Sequence, residues 1–277
     1  MKSFLLIGQS NMAGRGFAHE VPAIYNERIE MLRNGKWQMM TEPINCDRPV
    51  AGVGLAASFA ESWCRMNSKE KIGLIPCAEG GSSIDEWAAE GILFRHAVSE
   101  ARFAMESSRL AGILWHQGES DSDGGKYKTY YERLNRIEKS LREELDVPDI
   151  PFLIGGLGDY LGKSGFGAGC VEYQQINQEL RRFAEENKCC YFITGEGLSA
   201  NPDGIHINAV SQRKFGLRFF EAYCGEKHID RPLADEEKLV DICHNRDNTP
   251  SEKKYMALEK FSLGKLSYEE LMKVFMS

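Results

Sequence analysis

Residues 1–16 read MKSFLLIGQSNMAGRG, and the rest of the chain is best understood from this stretch. Its four consecutive apolar residues, Phe4–Ile7, stop at a glycine and a polar cluster. A short run that is apolar throughout is typical of a parallel strand buried on both faces. The polar residues Gly8–Gly16 would then follow the carboxyl end of the strand, which is where open α/β sheets place their reactive groups. The stretch therefore predicts both a parallel sheet and the location of its chemistry.

Short apolar runs and amphipathic segments alternate along the rest of the chain. The further runs are Ile72–Pro76, Gly112–His116, Pro151–Gly155 and Tyr191–Thr194. Helical patterns lie around residues 53–66, 92–109, 126–145, 171–187 and 209–224. Repeated strand–helix alternation predicts an α/β fold, namely a three-layer α/β/α sandwich around a five-stranded parallel sheet with right-handed crossovers.

Two segments depart from this alternation. The dipeptide Asn34-Gly35 favours a two-residue hairpin turn, so we expect a small antiparallel ribbon after the first strand. Residues 230–277 are charged and helix-prone, with a proline at 250 and a glycine break at 264. We therefore divide the chain into a main domain at 1–229 and a helical C-terminal extension at 230–277.

Composition excludes several classes of function. The net charge of −7 provides no basic field, which argues against nucleic acid or an anionic membrane as a partner. The sequence has no apolar run of about 18 residues that would suggest a membrane span. The run Phe4–Ile7 is too short for a signal peptide, so we predict a cytoplasmic location. The eight cysteines form no Cys-x-x-Cys pair, and we predict neither a metal nor another cofactor.

Polar clusters with glycine follow four of the predicted strands, as acyl-transfer chemistry requires. The first contains Ser10, and a serine hydroxyl needs a base to take its proton. Of the six histidines, only His206 has a carboxylate three residues before it in a loop, that of Asp203. Asp203 can accept the Nδ1 proton of His206 and leave Nε2 free for Ser10. The sequence therefore predicts a Ser10–His206–Asp203 triad.

A tetrahedral intermediate also needs donors directed at its oxyanion. The candidates are the backbone N–H groups of Ser10 and of Gly80 or Gly81, because glycine allows close approach of the backbone. The side-chain amide of Gln117 is the third candidate, since a carboxamide donates a proton without carrying a charge.

Four sequence blocks together resemble the sialate O-acetylesterase and acetylxylan esterase branch of the SGNH hydrolases, and most closely carbohydrate esterase family six. They read Gly-Gln-Ser-Asn-Met-x-Gly-Arg-Gly, Gly-Gly-Ser-Ser-x-x-x-Trp, Trp-x-Gln-Gly-Glu-x-Asp and Asp-x-x-His, and they occur in the family's order within residues 1–225. The resemblance implies a flavodoxin-like SGNH fold and an esterase domain at 1–229. It also implies Ser10 as nucleophile, Asp203 and His206 as its partners, and an oxyanion hole with Gln117. It says nothing about the segment after residue 230.

Several residues near these blocks have both a structural and a functional interpretation. Gln9, Asn11 and Arg15 could hold the serine loop or contact substrate, and for Asn11 and Arg15 we favour the structural role. Trp87 could form the floor of a sugar subsite or pack in the core. Glu119 could orient neighbouring loops, and with Asp121 and Asp123 it is more typical of a solvated acidic loop than of a cation site. His116 should point to the opposite face from Gln117 and be packed.

The sequence predicts a serine esterase that removes acetyl groups from a carbohydrate, such as acetylxylan or a xylo-oligosaccharide. The alternatives are a sialate 9-O-acetylesterase, another short-chain acyl esterase, a lipase or thioesterase, and a non-catalytic carbohydrate-binding protein. The acetylated sugar, self-association into a homo-oligomer and the role of residues 230–277 are left open.

Overall fold

The computed structural model describes residues 1–276, and its centre is one seven-stranded sheet. The strands are Lys2–Gly8 (β1), Ile29–Arg33 (β2), Lys36–Met39 (β3), Ile72–Pro76 (β4), Arg109–His116 (β5), Phe152–Gly155 (β6) and Cys190–Ile193 (β7). Their order across the sheet is β3-β2-β4-β1-β5-β6-β7, and every neighbouring pair except β2–β3 is parallel. The predicted α/β class and parallel-dominated sheet are confirmed.

The predicted count of five strands was wrong, because the hairpin joins the sheet. The turn itself is as expected: Asn34 and Gly35 have φ angles of 53° and 69°, as a two-residue hairpin turn requires. Ile29 of β2 pairs in parallel with Ile72 of β4. Without β2, the edge of β4 would present unpaired backbone groups. The ribbon therefore extends the sheet and covers that edge.

Helices cover both faces of the sheet. They are Ser10–Ala13 (α1), Ala56–Met66 (α2), Ile92–Met105 (α3), Tyr127–Leu145 (α4), Tyr173–Glu186 (α5) and Ala209–Gly225 (α6), followed by Glu236–His244 (α7), Pro250–Ser262 (α8) and Tyr268–Met276 (α9). Phe4 and Leu6 of β1 face a core shared with α2 and α6. Leu5 and Ile7 face the other core, against α3, α4 and α5. This alternation along a fully buried strand produces the three layers.

The segment after residue 230 forms α7, α8 and α9 beside the main domain. Pro250 begins α8 rather than breaking it, because it occupies the first turn after the N-cap Thr249. Glu252 is fully buried and accepts hydrogen bonds from the Glu27 backbone N–H and the Arg246 guanidinium, which fixes α8 to the loop before β2. Among residues 1–276 no helix has the length and apolar character needed to cross a membrane.

Candidate active site

Three side chains from the two ends of the main domain form one hydrogen-bonded line. His206 Nε2 lies 3.1 Å from Ser10 Oγ, and His206 Nδ1 lies 2.8 Å from Asp203 Oδ2. Ser10 is 5% exposed, whereas His206 and Asp203 remain about a quarter exposed. The structure therefore brings the three predicted residues together at the carboxyl edge of the sheet, with access from solvent.

The Asp203 carboxylate is held in one orientation by its own loop. Its Oδ1 atom accepts the backbone N–H groups of Ile205 at 3.0 Å and His206 at 2.9 Å. Burial alone would raise the pKa of Asp203, but these two N–H groups and the His206 ring outweigh it and lower the pKa. The ionised carboxylate places the ring proton on Nδ1, which leaves Nε2 as the acceptor for the Ser10 hydroxyl.

The backbone at Gly8 sets the position of the nucleophile. Gly8 has a φ angle of 134°, and a Cβ atom there would lie 2.1 Å from the His116 carbonyl oxygen. The next N–H group, that of Gln9, donates to the same carbonyl at 2.9 Å. A side chain at position 8 would push β1 away from β5, so only glycine allows this turn into Ser10.

Asn11 connects the serine loop to the histidine loop. Its Nδ2 atom donates to Glu119 Oε1 at 2.5 Å and to the Ile205 carbonyl at 3.0 Å. Its Oδ1 atom accepts the Ile207 N–H at 2.8 Å. Asn11 is fully buried, so its side chain cannot contact substrate. Its contacts support the structural role that we favoured for it.

Glu119 is a buried carboxylate that holds Asn11. It also lies 3.4 Å from Nε2 of His116, which is itself fully buried with Nδ1 3.0 Å from the Gly155 carbonyl. Burial would raise the pKa of Glu119, but His116 and Asn11 outweigh it and the pKa is lowered. Glu119 is therefore placed to act through Asn11 and not on substrate.

We expect Asn11→Ala to lower kcat by about 10- to 100-fold, because the His206 loop loses its tether to Ser10 and a displacement of about 1 Å can have an effect of this size. The measurement is the initial rate with p-nitrophenyl acetate, alongside the melting temperature. Asn26→Ala is a matched control, since Asn26 is equally buried and also joins a carboxylate, Glu61, to a backbone N–H. An equal loss of activity in both variants would contradict a specific role for Asn11.

Two of the predicted oxyanion donors are already used inside the protein. The Gly80 N–H donates to Asp47 Oδ2 at 2.8 Å. The Gln117 Nε2 atom donates to Asp121 Oδ2 at 2.6 Å and approaches the Ser82 carbonyl and Gln9 Oε1 at 3.1 Å each. Buried acceptors take the protons that the oxyanion would need, so these contacts argue against both groups as oxyanion donors.

The remaining two predicted donors are free. Within residues 1–276 the N–H groups of Ser10 and Gly81 donate to no protein acceptor. The Gly81 carbonyl accepts the Ser120 hydroxyl at 3.1 Å, which holds this loop beside the one that follows β5. Ser10 and Gly81 therefore keep their predicted role as backbone donors.

Arg15 forms a buried ion pair that shapes the loops around the site. Its Nη2 atom lies 2.5 Å from Asp47 Oδ2, with both side chains almost inaccessible, and its Nη1 atom donates to the Gly14 carbonyl at 2.9 Å. Asp47 also receives the Gly80 N–H, so one carboxylate fastens two loops. These contacts support the structural role that we favoured for Arg15.

Trp87 is not the floor of a sugar subsite. The side chain is fully buried, its ring packs edge-to-face on Trp115 at 5.7 Å between centroids, and its Nε1 atom donates to Ser82 Oγ at 3.0 Å. Burial of the indole in the core excludes contact with substrate.

Sequence reasoning overlooked Asp47 and Phe166, and it interpreted Asp121 as part of a solvated acidic loop, whereas the structure buries that side chain. Asp47 holds Arg15 and Gly80, and no pattern around it signals this role. Asp121 accepts from Gln117, and its place in the Trp-x-Gln-Gly-Glu-x-Asp block was a usable signal. Phe166 is 79% exposed beside the Asp203 loop. Across residues 1–276, no three His, Cys, Asp or Glu side chains are grouped so as to hold a metal ion.

Comparison with known proteins also indicates a carbohydrate esterase. The family model described as carbohydrate esterase, sialic acid-specific acetylesterase matches residues 1–225. The Arabidopsis thaliana protein named Probable carbohydrate esterase At4g34215 is 30% identical over 245 residues, covering 79% of this chain and 89% of that protein. The crystal structure of the Arabidopsis protein superposes with a TM-score of 0.70 at 26% identity, over 81% of this chain and 98% of that one.

More distant structures share the fold. NanS has a TM-score of 0.65 at 17% identity, over 81% of this chain and 97% of that one. XAC1771, a carbohydrate acetylesterase from Xanthomonas citri, has a TM-score of 0.53 at 17% identity, over 79% of this chain and 55% of that one. The match of the family model to most of the chain shows the family. The chain belongs to the carbohydrate esterase, sialic acid-specific acetylesterase family.

Proposed function

We propose that this protein is a serine esterase that hydrolyses O-acetyl groups of a carbohydrate through an acetyl-enzyme intermediate. The observation that carries the proposal is the hydrogen-bonded line from Ser10 Oγ through His206 to Asp203. This arrangement activates a hydroxyl for attack on a carbonyl, which is the first requirement of acyl transfer.

The proposed reaction has two halves. His206 Nε2 takes the Ser10 proton as Oγ bonds to the acetyl carbon, and the carbonyl electron pair moves onto its oxygen. When that pair returns, the bond to the sugar oxygen breaks, and His206 gives its proton to the departing alkoxide. Water then attacks the acetyl-enzyme with His206 again as base, releasing acetate and restoring Ser10. The free N–H groups of Ser10 and Gly81 are suited to the oxyanion.

The proposed substrate is an acetylated sugar, with acetylxylan or xylo-oligosaccharides first and 9-O-acetylated sialic acid or another short acyl ester as the alternative. The family description supports an acetylated carbohydrate in either case. The cytoplasmic location stays a prediction, and it would favour short imported oligosaccharides over polymers.

Labelling and acetate release together test the proposal. A fluorophosphonate probe should modify Ser10, as read by intact mass and peptide mapping, because the probe needs an activated hydroxyl. Acetate release from a panel of acetylated xylo-oligosaccharides, sialic acids and other sugars should single out one class, and acetyl esters should react faster than octanoyl esters. An unlabelled Ser10 would favour the non-catalytic binding protein, and faster octanoyl hydrolysis would favour a lipase or thioesterase.

We also propose that Phe166, and not Trp87, offers the aromatic face for the sugar. The Phe166 N–H donates to the Asp203 carbonyl at 2.7 Å, and its neighbour Gly165 sits so close that a Cβ there would lie 2.1 Å from the same oxygen. A tightly anchored backbone thus holds a 79% exposed ring next to the catalytic loop.

We expect Phe166→Ala to raise KM for the preferred acetylated sugar by about 2- to 10-fold, since one aromatic contact contributes roughly 0.5–1.5 kcal/mol. The rate with p-nitrophenyl acetate, which has no sugar ring, should not change. Phe103→Ala is a matched control, because Phe103 is a 45% exposed phenylalanine on α3. An unchanged KM for the sugar would exclude Phe166 from its binding.

A further inference from the structure

The turn that follows the serine loop, residues 17–20, carries two exposed aromatic rings, and we call it the aromatic turn. It is closed by a hydrogen bond from the Glu20 N–H to the Phe17 carbonyl at 3.1 Å. The rings of Phe17 and His19 stack almost parallel, at an interplanar angle of 11° and with 5.8 Å between their centroids. Phe17 is 42% exposed, and His19 is exposed as well. The stacked pair therefore presents an aromatic surface to solvent and not to the core.

The backbone around the aromatic turn is held on both sides. Directly before it, Gly16 and Val53 exchange both of their backbone hydrogen bonds, at 3.0 and 2.8 Å. A Cβ atom on Gly16 would lie 2.5 Å from the Cα atom of Ala209, so this backbone packs directly on the first residue of α6. At the end of the turn, Glu20 Oε2 accepts the Ala209 N–H at 3.3 Å. The two rings are therefore presented by a preorganised loop, which lowers the entropic cost of binding a ligand.

The segment that carries the catalytic histidine lies between the aromatic turn and Phe166. Residues 200–207 form a hairpin whose ends are joined by an antiparallel bridge, which places residues 203 and 204 at its tip. The Phe166 backbone is anchored to the Asp203 carbonyl at this tip, at 2.7 Å. The aromatic turn is anchored instead to Ala209, just beyond the base of the hairpin. His206 therefore has an exposed aromatic surface on each side of it.

The two rings of the aromatic turn offer different contacts to a sugar. The Phe17 ring is apolar and suits the C–H face of a pyranose, whereas the His19 imidazole has nitrogens that donate and accept hydrogen bonds. Within residues 1–276 neither ring nitrogen of His19 has a protein hydrogen-bond partner. Apolar surface combined with a few polar groups that fix orientation is the usual composition of a small-molecule site. The turn is therefore suited to one sugar ring and its hydroxyl groups.

We propose that the aromatic turn binds a second sugar unit, so that the preferred substrate is an acetylated oligosaccharide and not a monosaccharide. This inference rests on the proposed esterase function. The unit that carries the acetyl group lies at Ser10, and a neighbouring unit of the same chain stacks on Phe17 and bonds to His19. Contacts away from the reacting carbonyl are made equally in the ground state and the transition state. They therefore lower KM and leave kcat unchanged.

Pairs of substrates that differ by one sugar unit test the proposal. They are acetylated xylose and acetylated xylobiose, and 9-O-acetylated sialic acid either free or linked to galactose. In the pair that the wild type prefers, we expect KM to be about 2- to 10-fold lower for the longer substrate, the size of one aromatic contact. Phe17→Ala should abolish this difference without changing kcat or the rate with p-nitrophenyl acetate. Phe17→Tyr should retain it, because the aromatic face remains.

Phe261→Ala is the matched control for Phe17→Ala. Phe261 is a 41% exposed phenylalanine whose ring also pairs with another, that of Tyr268, but it lies in the C-terminal helices. This variant should keep the wild-type preference for the longer substrate. An active wild type whose KM is the same for both members of each pair, or a Phe17→Ala variant that keeps the preference, would overturn the second sugar site and leave the esterase proposal intact. A wild type that hydrolyses neither these sugars nor p-nitrophenyl acetate would overturn both.

Discussion

Ser10→Ala is expected to lower kcat/KM for p-nitrophenyl acetate by about 10⁴- to 10⁶-fold, because the acetyl group then has no oxygen to which it can be transferred. Within residues 1–276, the Ser10 hydroxyl has one hydrogen-bond partner, His206 Nε2. Its removal should therefore change the free energy of unfolding by no more than about 1.5 kcal/mol. Initial rates, circular dichroism and thermal melting of wild type and variant make the comparison.

The matched control for this prediction is Ser58→Ala. Ser58 is also a buried serine, but its hydroxyl bonds to the Leu55 and Arg213 carbonyls and touches none of the three triad residues. The Ser58→Ala variant should have a lower free energy of unfolding than wild type and the same specific activity. A folded Ser10→Ala protein with more than about one hundredth of the wild-type rate would show that another group is the nucleophile.

The second large effect is expected for Asp203→Asn, with kcat reduced by about 10³- to 10⁴-fold. Two backbone N–H groups face Oδ1 of this side chain, so the oxygen of an asparagine will stay there. Its NH₂ group must then face His206 Nδ1, which forces the ring proton onto Nε2. In that tautomer His206 cannot accept the Ser10 proton. Steady-state rates over a range of pH check the prediction, because no pH should restore the rate.

The lowered pKa of Asp203 also gives a stability prediction with a definite sign. A carboxyl group whose pKa is lower in the folded than in the unfolded protein stabilises the fold above its ordinary pKa, and this contribution is lost as the pH falls through the folded value. The melting temperature of Asp203→Asn should therefore lie below that of wild type at neutral pH and converge with it in acid. Asp241→Asn, which removes an exposed charge on α7, should show no such convergence.

The sequence could predict the central strands and the triad because both depend on local patterns. The apolar run Phe4–Ile7 is sufficient to indicate a buried strand, and Asp203 and His206 are three residues apart. Joining of the hairpin to the sheet depends instead on the open edge of β4, which no local pattern describes.

Local sequence patterns also could not predict the hydrogen-bond partners of the oxyanion candidates Gly80 and Gln117. The Gly80 N–H is occupied by Asp47, 33 residues earlier, and the Gln117 amide by a carboxylate that becomes buried only when the loops close. Trp87 was ambiguous for a similar reason, since an indole before a helix is equally compatible with packing and with binding until the position of Trp115 is known.

The hydrogen bonds between Asn11 and the His206 loop determine when the active site can assemble during synthesis. Its partners Ile205 and Ile207 come 194 and 196 residues later in the chain. During synthesis, the nucleophile leaves the ribosome well before its base, because the base and the hydrogen bonds that hold it follow only after the last strand of the sheet. A nascent or prematurely terminated chain thus carries the serine without its histidine, so esterase activity begins only when the main domain has closed on itself.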